Sequence, residues 1–329
     1  SDINDASDTP LSKTVTLVVG DPAEATSSFS ASPKSVLADG ITGSTLTLKV
    51  ADAFGNPVSG MAQSGAIGFQ VKGSDGQTPS LSKFSTSPLA EDEANPGTYT
   101  STLKSTLLDT LTVKPTLSGD LMWSLNDTVE FVPGPFKDVT ANGYTFANDA
   151  GFPSITFNGA KFTLNMPAGK VASDYTWTSD QTGWTTVSAA GVVTLSSAPT
   201  SANNSVKILA TPKATGLALR YSFTVNTWFK PGAIATDYSN TSSWCVTSGG
   251  EVSPLTMLTN AVSGGSAATR GVGNLWSEWG NMTAWGWVNN WFWSSTSGGS
   301  GNYIANLTTG AVSSRALTST AVQACAIPL

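Results

Sequence analysis

The 329-residue sequence predicts a mainly β protein: two tandem β-sandwiches followed by a small α+β domain. Three observations carry this. Short runs alternate apolar and polar residues with a period of two, the spacing that sends every second side chain to one face of a sheet. Gly, Pro, Asn and Asp punctuate those runs at close intervals, as turns between short strands require. Only 12% of the residues are charged while 40% are apolar, a composition of extracellular β proteins more than of cytosolic enzymes.

Taken in order, Thr14-Val15-Thr16-Leu17-Val18-Val19 alternates and stops at Gly20-Asp21-Pro22. Leu46-Thr47-Leu48-Lys49-Val50 alternates and ends in Asp52-Ala53-Phe54-Gly55-Asn56-Pro57. Tyr99-Thr100-Ser101-Thr102-Leu103 follows the turn Asn95-Pro96-Gly97, and Leu111-Thr112-Val113-Lys114 comes next. Glu130-Phe131-Val132 reads as a closing strand and Pro133-Gly134-Pro135 as a linker. A second block carries strands at 175–179, 191–195 and 221–225 and runs to about Trp228. In the last block, Ser253 and Pro254 read as N-cap and first helical residue of a helix with apolar positions 255, 258, 261 and 262, stopped at Gly264. Leu275-Trp276-Ser277-Glu278-Trp279 reads as a second short helix, and residues 302–307 as a strand. The expected blocks are residues 21–133, 134–228 and 229–329.

Composition excludes several chemistries. There is no His, so Ser-His-Asp and Cys-His catalysis and imidazole metal ligands are absent. The net charge of -6 argues against nucleic acid, which selects basic surfaces. Two cysteines, Cys245 and Cys325, read as one disulfide closing the last block in an oxidising compartment, the alternative being two buried thiols. No apolar run reaches the length of a membrane span, and Ser1-Asp2-Ile3-Asn4 does not open a signal peptide, so the chain reads as a fragment of an exported protein.

Three stretches carry a family resemblance. Residues 50–58, with Asp52-Ala53-Phe54-Gly55-Asn56-Pro57, and Pro96-Gly97-Thr98-Tyr99-Thr100 resemble bacterial immunoglobulin-like (Ig-like) domains of the first type. Trp177-Thr178-Ser179 with Gly191-Val192-Val193-Thr194 resembles the second type. Leu275-Trp276-Ser277-Glu278-Trp279-Gly280, Phe292-Trp293-Ser294-Ser295 and Leu307-Thr308-Thr309-Gly310 are similar to the C-type-lectin-like domain that ends the intimin and invasin adhesins. The resemblance implies tandem Ig-like sandwiches as a stalk and a lectin-like tip, with residues 1–20 as the end of a preceding Ig-like domain and linker, on a monomeric rod at the bacterial surface, anchored by an outer-membrane barrel. It implies as partner a host extracellular or cell-surface protein: a receptor such as an integrin, or a soluble glycoprotein such as immunoglobulin.

Within residues 229–329 the acids are Asp237, Glu251 and Glu278, too few for a calcium site that uses several carboxylates. Calcium-dependent sugar binding is therefore not expected, and no cofactor is. The spacing of Asp2, Asp5 and Asp8 lacks the features of a calcium loop. Six of the eleven tryptophans fall between Trp276 and Trp293. Trp276, Trp279 and Trp293 are expected in the core, as are Trp177, Trp184 and Trp228 of the second sandwich. Trp285, Trp287 and Trp291, on odd positions of an extended segment, would face one side together and with Asn289 form a partner-binding surface. Arg270, in the Gly-rich loop 263–273, is a further partner-binding candidate. A glycosidase would need a carboxylate pair, for which Glu251 and Glu278 are the tip's candidates, so an enzyme is not expected. The competing functions are a spacer or a module for glycans or bacterial partners.

Overall fold

The computed structural model describes residues 18–122 and 124–329. The expected strand residues Thr14 to Leu17, and Asp2, Asp5 and Asp8, lie outside the described residues. The fold divides after Val132 into two compact units.

The first unit is a β-sandwich. One sheet orders Ser28–Ser32, Gly43–Lys49, Thr98–Ser105 and Phe84–Thr86; the other orders Ser35–Leu37, Asp127–Val132, Thr110–Leu117 and Ile67–Lys72. The alternation read from the sequence is the burial pattern of its strands. Tyr99, Ser101, Leu103 and Ser105 are buried along Thr98–Ser105, and the residues between them are half-exposed. Leu46 and Leu48 face Ser101 and Tyr99 across the neighbouring strands, and Leu111 and Val113 are fully buried in the other sheet.

Asp52 organises the turn that follows the strand Gly43–Lys49. Its carboxylate accepts from the backbone N–H of Phe54 and Asn56, both at 2.9 Å, and from Asn56 Nδ2 and Gly20 N, both at 3.0 Å. The Asn56 side chain is the largest of these influences, and together they hold the Asp52 carboxyl down at about 2. Gly55 takes φ +84°, a left-handed conformation that a side chain disfavours, which accounts for Gly in Asp-Ala-Phe-Gly-Asn-Pro.

The second unit, Pro133–Leu329, opens with another sandwich. One sheet orders Gly134–Pro135, Leu219–Thr224, Ser205–Pro212 and Tyr175–Ser179; the other orders Tyr144–Ala147, Asp138–Ala141, Lys161–Asn165, Val192–Leu195 and Thr185–Val187. Residues 134–135, expected to be plain linker, pair in parallel with Leu219 and Arg220. Pro135 at a sheet edge needs no amide donor there, which is why the linker composition is compatible with a strand.

Beyond the sandwich lie helices α1 (Tyr238–Thr247), α2 (Leu255–Leu258) and α3 (Leu275–Trp279) and the antiparallel sheet Trp291–Ser297, Asn302–Asn306, Val312–Arg315. The expected helix from 255 to 262 stops after a single turn. Thr259 is extended, its Oγ1 donates to Gly310 O at 2.7 Å, and Ala261 N donates back to Thr259 Oγ1. Tertiary hydrogen bonds thus replace the helical ones. Ser253, expected as the cap, has a buried hydroxyl without a partner among the described residues. Among the described residues, no helix is long and apolar enough to cross a membrane.

Candidate functional site: the disulfide-closed tip

The tip grows out of the sandwich as a continuation of its backbone. A four-stranded sheet orders Ile155–Phe157, Thr227–Pro231, Ala324–Pro328 and Glu251–Val252. Ile155–Phe157 comes from the sandwich block and pairs in parallel with Thr227, Trp228 and Phe229, while the chain end pairs with the other edge of Thr227–Pro231. Both faces of Ile155–Phe157 are covered, since all three residues are buried.

Aromatic rings fill the space behind this sheet. Phe157 meets Trp279, Trp285 and Trp287 with centroids 5.3, 5.7 and 5.5 Å away, all edge-on. Phe152, in the loop before Ile155, stacks on Phe146 of the sandwich and touches Trp279 at 5.0 Å. Trp228 lies edge-on to Trp184. One continuous apolar core therefore runs from the sandwich into the tip.

Two charged residues fix the orientation of α3 against the sandwich. Glu278 is fully buried. Its Oε2 accepts from Ser154 N at 2.9 Å and Ile155 N at 3.2 Å; its Oε1 accepts from Gly273 N at 3.0 Å and from the Ser154 hydroxyl. Burial pushes its carboxyl up to about 7 despite these donors. Trp279, next in sequence, donates from Nε1 to Ile155 O at 2.6 Å. Arg270 donates from Nε to Ser277 O, from Nη1 to Asn142 O and from Nη2 to Ala141 O and Glu278 O, at 2.9 to 3.1 Å. Its guanidinium also lies over Tyr144, 5.0 Å from the ring centroid. Two of these carbonyls, those of Ala141 and Asn142, belong to a hairpin turn at Asn142-Gly143, both with positive φ, and the other two belong to α3. Asn142 Nδ2 in turn donates to Trp279 O at 2.8 Å. Gly280 is needed at this contact: its φ is +70°, and a Cβ there would lie 2.6 Å from Arg270 Nη1.

The opposite side of the tip is closed by the Cys245–Cys325 disulfide, as the cysteine count led us to expect, with Cα atoms 5.2 Å apart. It ties α1 to the strand Ala324–Pro328. Asp237 caps α1: Oδ1 accepts from Asn240 N and Oδ2 from Asn240 Nδ2, both at 2.9 Å. Trp293 is fully buried against this helix and donates from Nε1 to Thr236 O at 2.8 Å.

The candidate contact residues are distributed unequally. The expected one-sided array of Trp285, Trp287 and Trp291 does not form, because residues 282–285 make a 3-10 turn capped by Asn281 and Gly286 is left-handed. Trp287 is only 6% exposed, wedged between Phe157 and Phe292. Trp285 is half-buried and donates from Nε1 to Trp279 O at 3.1 Å. Trp291 is half-buried beside the disulfide cluster, and Asn289 is exposed, its Oδ1 accepting from Thr308 Oγ1 at 2.9 Å. Arg270 is held by four backbone carbonyl contacts and is not a free loop cation. Trp279, Trp293, Trp184 and Trp228 are core residues as expected, whereas Trp276 and Trp177 are half-buried. Sequence reading missed α1 and its Asp237 cap; Asp followed by a polar stretch was the one available signal.

Comparison with known proteins follows the same division. The model of invasin domain 3 matches residues 23–134, and that of invasin domain 4 matches residues 137–223. The inverse autotransporter adhesin YeeJ of Escherichia coli strain K12 is 32% identical over 212 residues, covering 60% of this chain and 9% of that protein. The invasin of Yersinia enterocolitica is 27% identical over 311 residues, 92% of this chain and 34% of that protein. The chain thus spans a minor part of both relatives. The crystal structure of an invasin, described as a bacterial integrin-binding protein, aligns with a TM-score of 0.53 at 27% identity, over 94% of this chain and 61% of the other.

Proposed function

The chain belongs to the intimin and invasin family of bacterial adhesins, and from that membership we propose that residues 229–329 are an adhesive tip that binds a host extracellular protein. On this reading the immunoglobulin-like sandwiches at residues 21–133 and 134–228 form the stalk, displayed at the bacterial surface. The observation that carries it is the way the tip is held. A shared sheet, a buried carboxylate, an Arg clamp and a disulfide fix residues 229–329 against the second sandwich. Rigid presentation lowers the ordering cost of binding, which is what a recognition surface gains from such a scaffold.

Asn289 and Trp291, with the exposed edge of Trp285, are the contact residues of this proposal. Trp287 and Arg270 act through them, holding the 282–291 segment and α3 in place. The partner class is a receptor such as an integrin, the property named for the solved invasin, or a soluble glycoprotein such as immunoglobulin. No catalytic role is proposed: Glu278, half of the carboxylate pair in the tip, is enclosed by backbone donors and cannot reach a substrate.

Deleting residues 229–329 would be a poor test, because it removes strands from the shared sheet and bares Phe157 and Trp228. Surface substitutions in the whole chain are better. The chain is used to capture proteins from human serum, mucus and epithelial membranes. Asn289→Arg should abolish a capture that Phe54→Asp, at a 90% exposed site of the first unit, leaves intact. Equal capture by both variants, or loss only with Phe54→Asp, would remove recognition from the tip. Capture that disappears when the partner is deglycosylated would turn the reading toward glycans.

A further inference from the structure

We propose that the cleft between residues 232–236 and helix α1 is the tip's main anchoring pocket, and that it takes an aliphatic or aromatic side chain lying next to a carboxylate on a host protein. The proposal rests on the tip being a protein-binding module and names the chemistry it would recognise.

The cleft has a volume of about 440 Å³ and is lined by Ala233, Ile234, Thr236, Asn240, Trp244 and Gln323. That is enough to bury one large side chain with its neighbours. Its apolar lining is not core surplus. Ile234 is 75% exposed and Trp244 half-buried, so two large apolar side chains meet water beside a cavity. The backbone brings Ile234 there. Gly232 N donates to Gln323 O and Thr236 N to Ala321 O, and among the described residues 233–235 make no backbone hydrogen bond between those two bridges. The chain therefore bulges away from the sheet with Ile234 at its middle.

The polar groups are few and fixed. Gln323 is 5% exposed, and its Nε2 donates to Thr236 Oγ1 at 2.7 Å. A Cβ on Gly232 would lie 1.7 Å from Gln323 Oε1, so glycine at 232 is what leaves room for that amide.

The occupant's charge follows from the strand register. Lys230 pairs with Cys325, which pairs with Val252, so these three side chains share the face on which α1 lies. Glu251 is in register with Ala326 and Phe229 and belongs to the opposite face. Asp237 is on the α1 side, but both its oxygens are engaged by Asn240 at the helix start. Lys230 is exposed, lies 5.6 Å from the Trp244 ring centroid, and has no ion-pair partner among the described residues. A free ammonium beside an aromatic-lined cleft selects a carboxylate next to the apolar group that fills it.

The test uses the whole chain and a defined probe, acetyl-phenylalanyl-aspartyl amide, with the lysyl analogue as its charge-reversed control. The readout is the indole N–H resonance of Trp244, assigned by its loss in Trp244→Phe. The aspartyl probe should shift this resonance saturably at millimolar concentration, and Lys230→Gln should weaken binding about two- to fivefold. Ile234→Asp, at an exposed position that does not threaten folding, should abolish it. No saturable shift, an equal shift with the lysyl probe, or binding untouched by both variants would overturn the proposal. Host-protein capture that persists in Ile234→Asp would sink the pocket while leaving the tip reading intact.

Discussion

Raising the pH from about 4.5 to about 7 should weaken the unit Pro133–Leu329, and the group responsible is Glu278. Its carboxyl is buried where α3 meets the Ser154–Ile155 backbone, and burial raises it from its ordinary 4.5 to about 7. Between those values the folded state holds a proton that the unfolded state has released. Stability from this group is thus fully present below about 4.5, declines as pH rises, and is lost above about 7. At about 1.4 kcal/mol per pH unit, the gap amounts to about 3 kcal/mol. The chain suits the measurement, for it has no His to titrate in the same window, and ten of its eleven tryptophans lie beyond residue 132. Urea unfolding followed by Trp fluorescence therefore reports the second unit. Glu278→Gln, neutral at every pH, should lose the slope between pH 4.5 and 7 although its amide nitrogen replaces an oxygen that accepts from two of the four donors. A wild-type stability that is flat or rises through this window, or the same slope in Glu278→Gln, would refute the reasoning.

The other expectations concern separate parts of the chain. Reducing the Cys245–Cys325 bond, which spans 80 residues, should lower the stability of the second unit by about 4 kcal/mol, and a melt unaffected by reductant would contradict this. Arg270→Lys keeps the charge but loses the planar fork that reaches Ala141, Asn142, Ser277 and Glu278 carbonyls. It should cost about 2 kcal/mol in urea unfolding and speed amide exchange in the Asn142 hairpin. In the first unit the sign of the pH effect reverses. Asp52 is held at about 2, below its ordinary 3.8, so its contribution exists above 3.8 and is lost as pH falls through 2. Asp52→Asn should lower the calorimetric transition of that unit at pH 7 and remove this part of its acid sensitivity.

The sandwiches were legible because each strand has one face in the core and one in water. Thr98–Ser105 and Tyr175–Ser179 show that alternation directly in their residues. The strand Ile155–Phe157 was not legible, since all three residues are buried and three residues give no period to read. Helix α1 was missed for the opposite reason: Tyr238–Thr247 buries only Thr241 and Cys245 and has no apolar stripe. The membership of Trp279 and Trp293 in the core could be read from motifs, but the fate of Trp285 and Trp287 depended on Phe157, more than a hundred residues earlier. Arg270 looked like a free cation in a Gly-rich loop, and only the fold brings the carbonyls of 141 and 142 to it. Local pattern fixes strands, whereas the use of a lone charged or aromatic residue is decided by distant partners.

The central claim is that recognition lies on the disulfide-closed tip. It is tested most directly by hydrogen–deuterium exchange of the whole chain, free and bound to whichever host protein it captures. The account predicts protection confined to residues 229–329, strongest around the 232–236 loop, α1 and the 288–291 segment. Protection that falls instead on the Ser28–Val132 sandwich, with the tip unchanged, would contradict it.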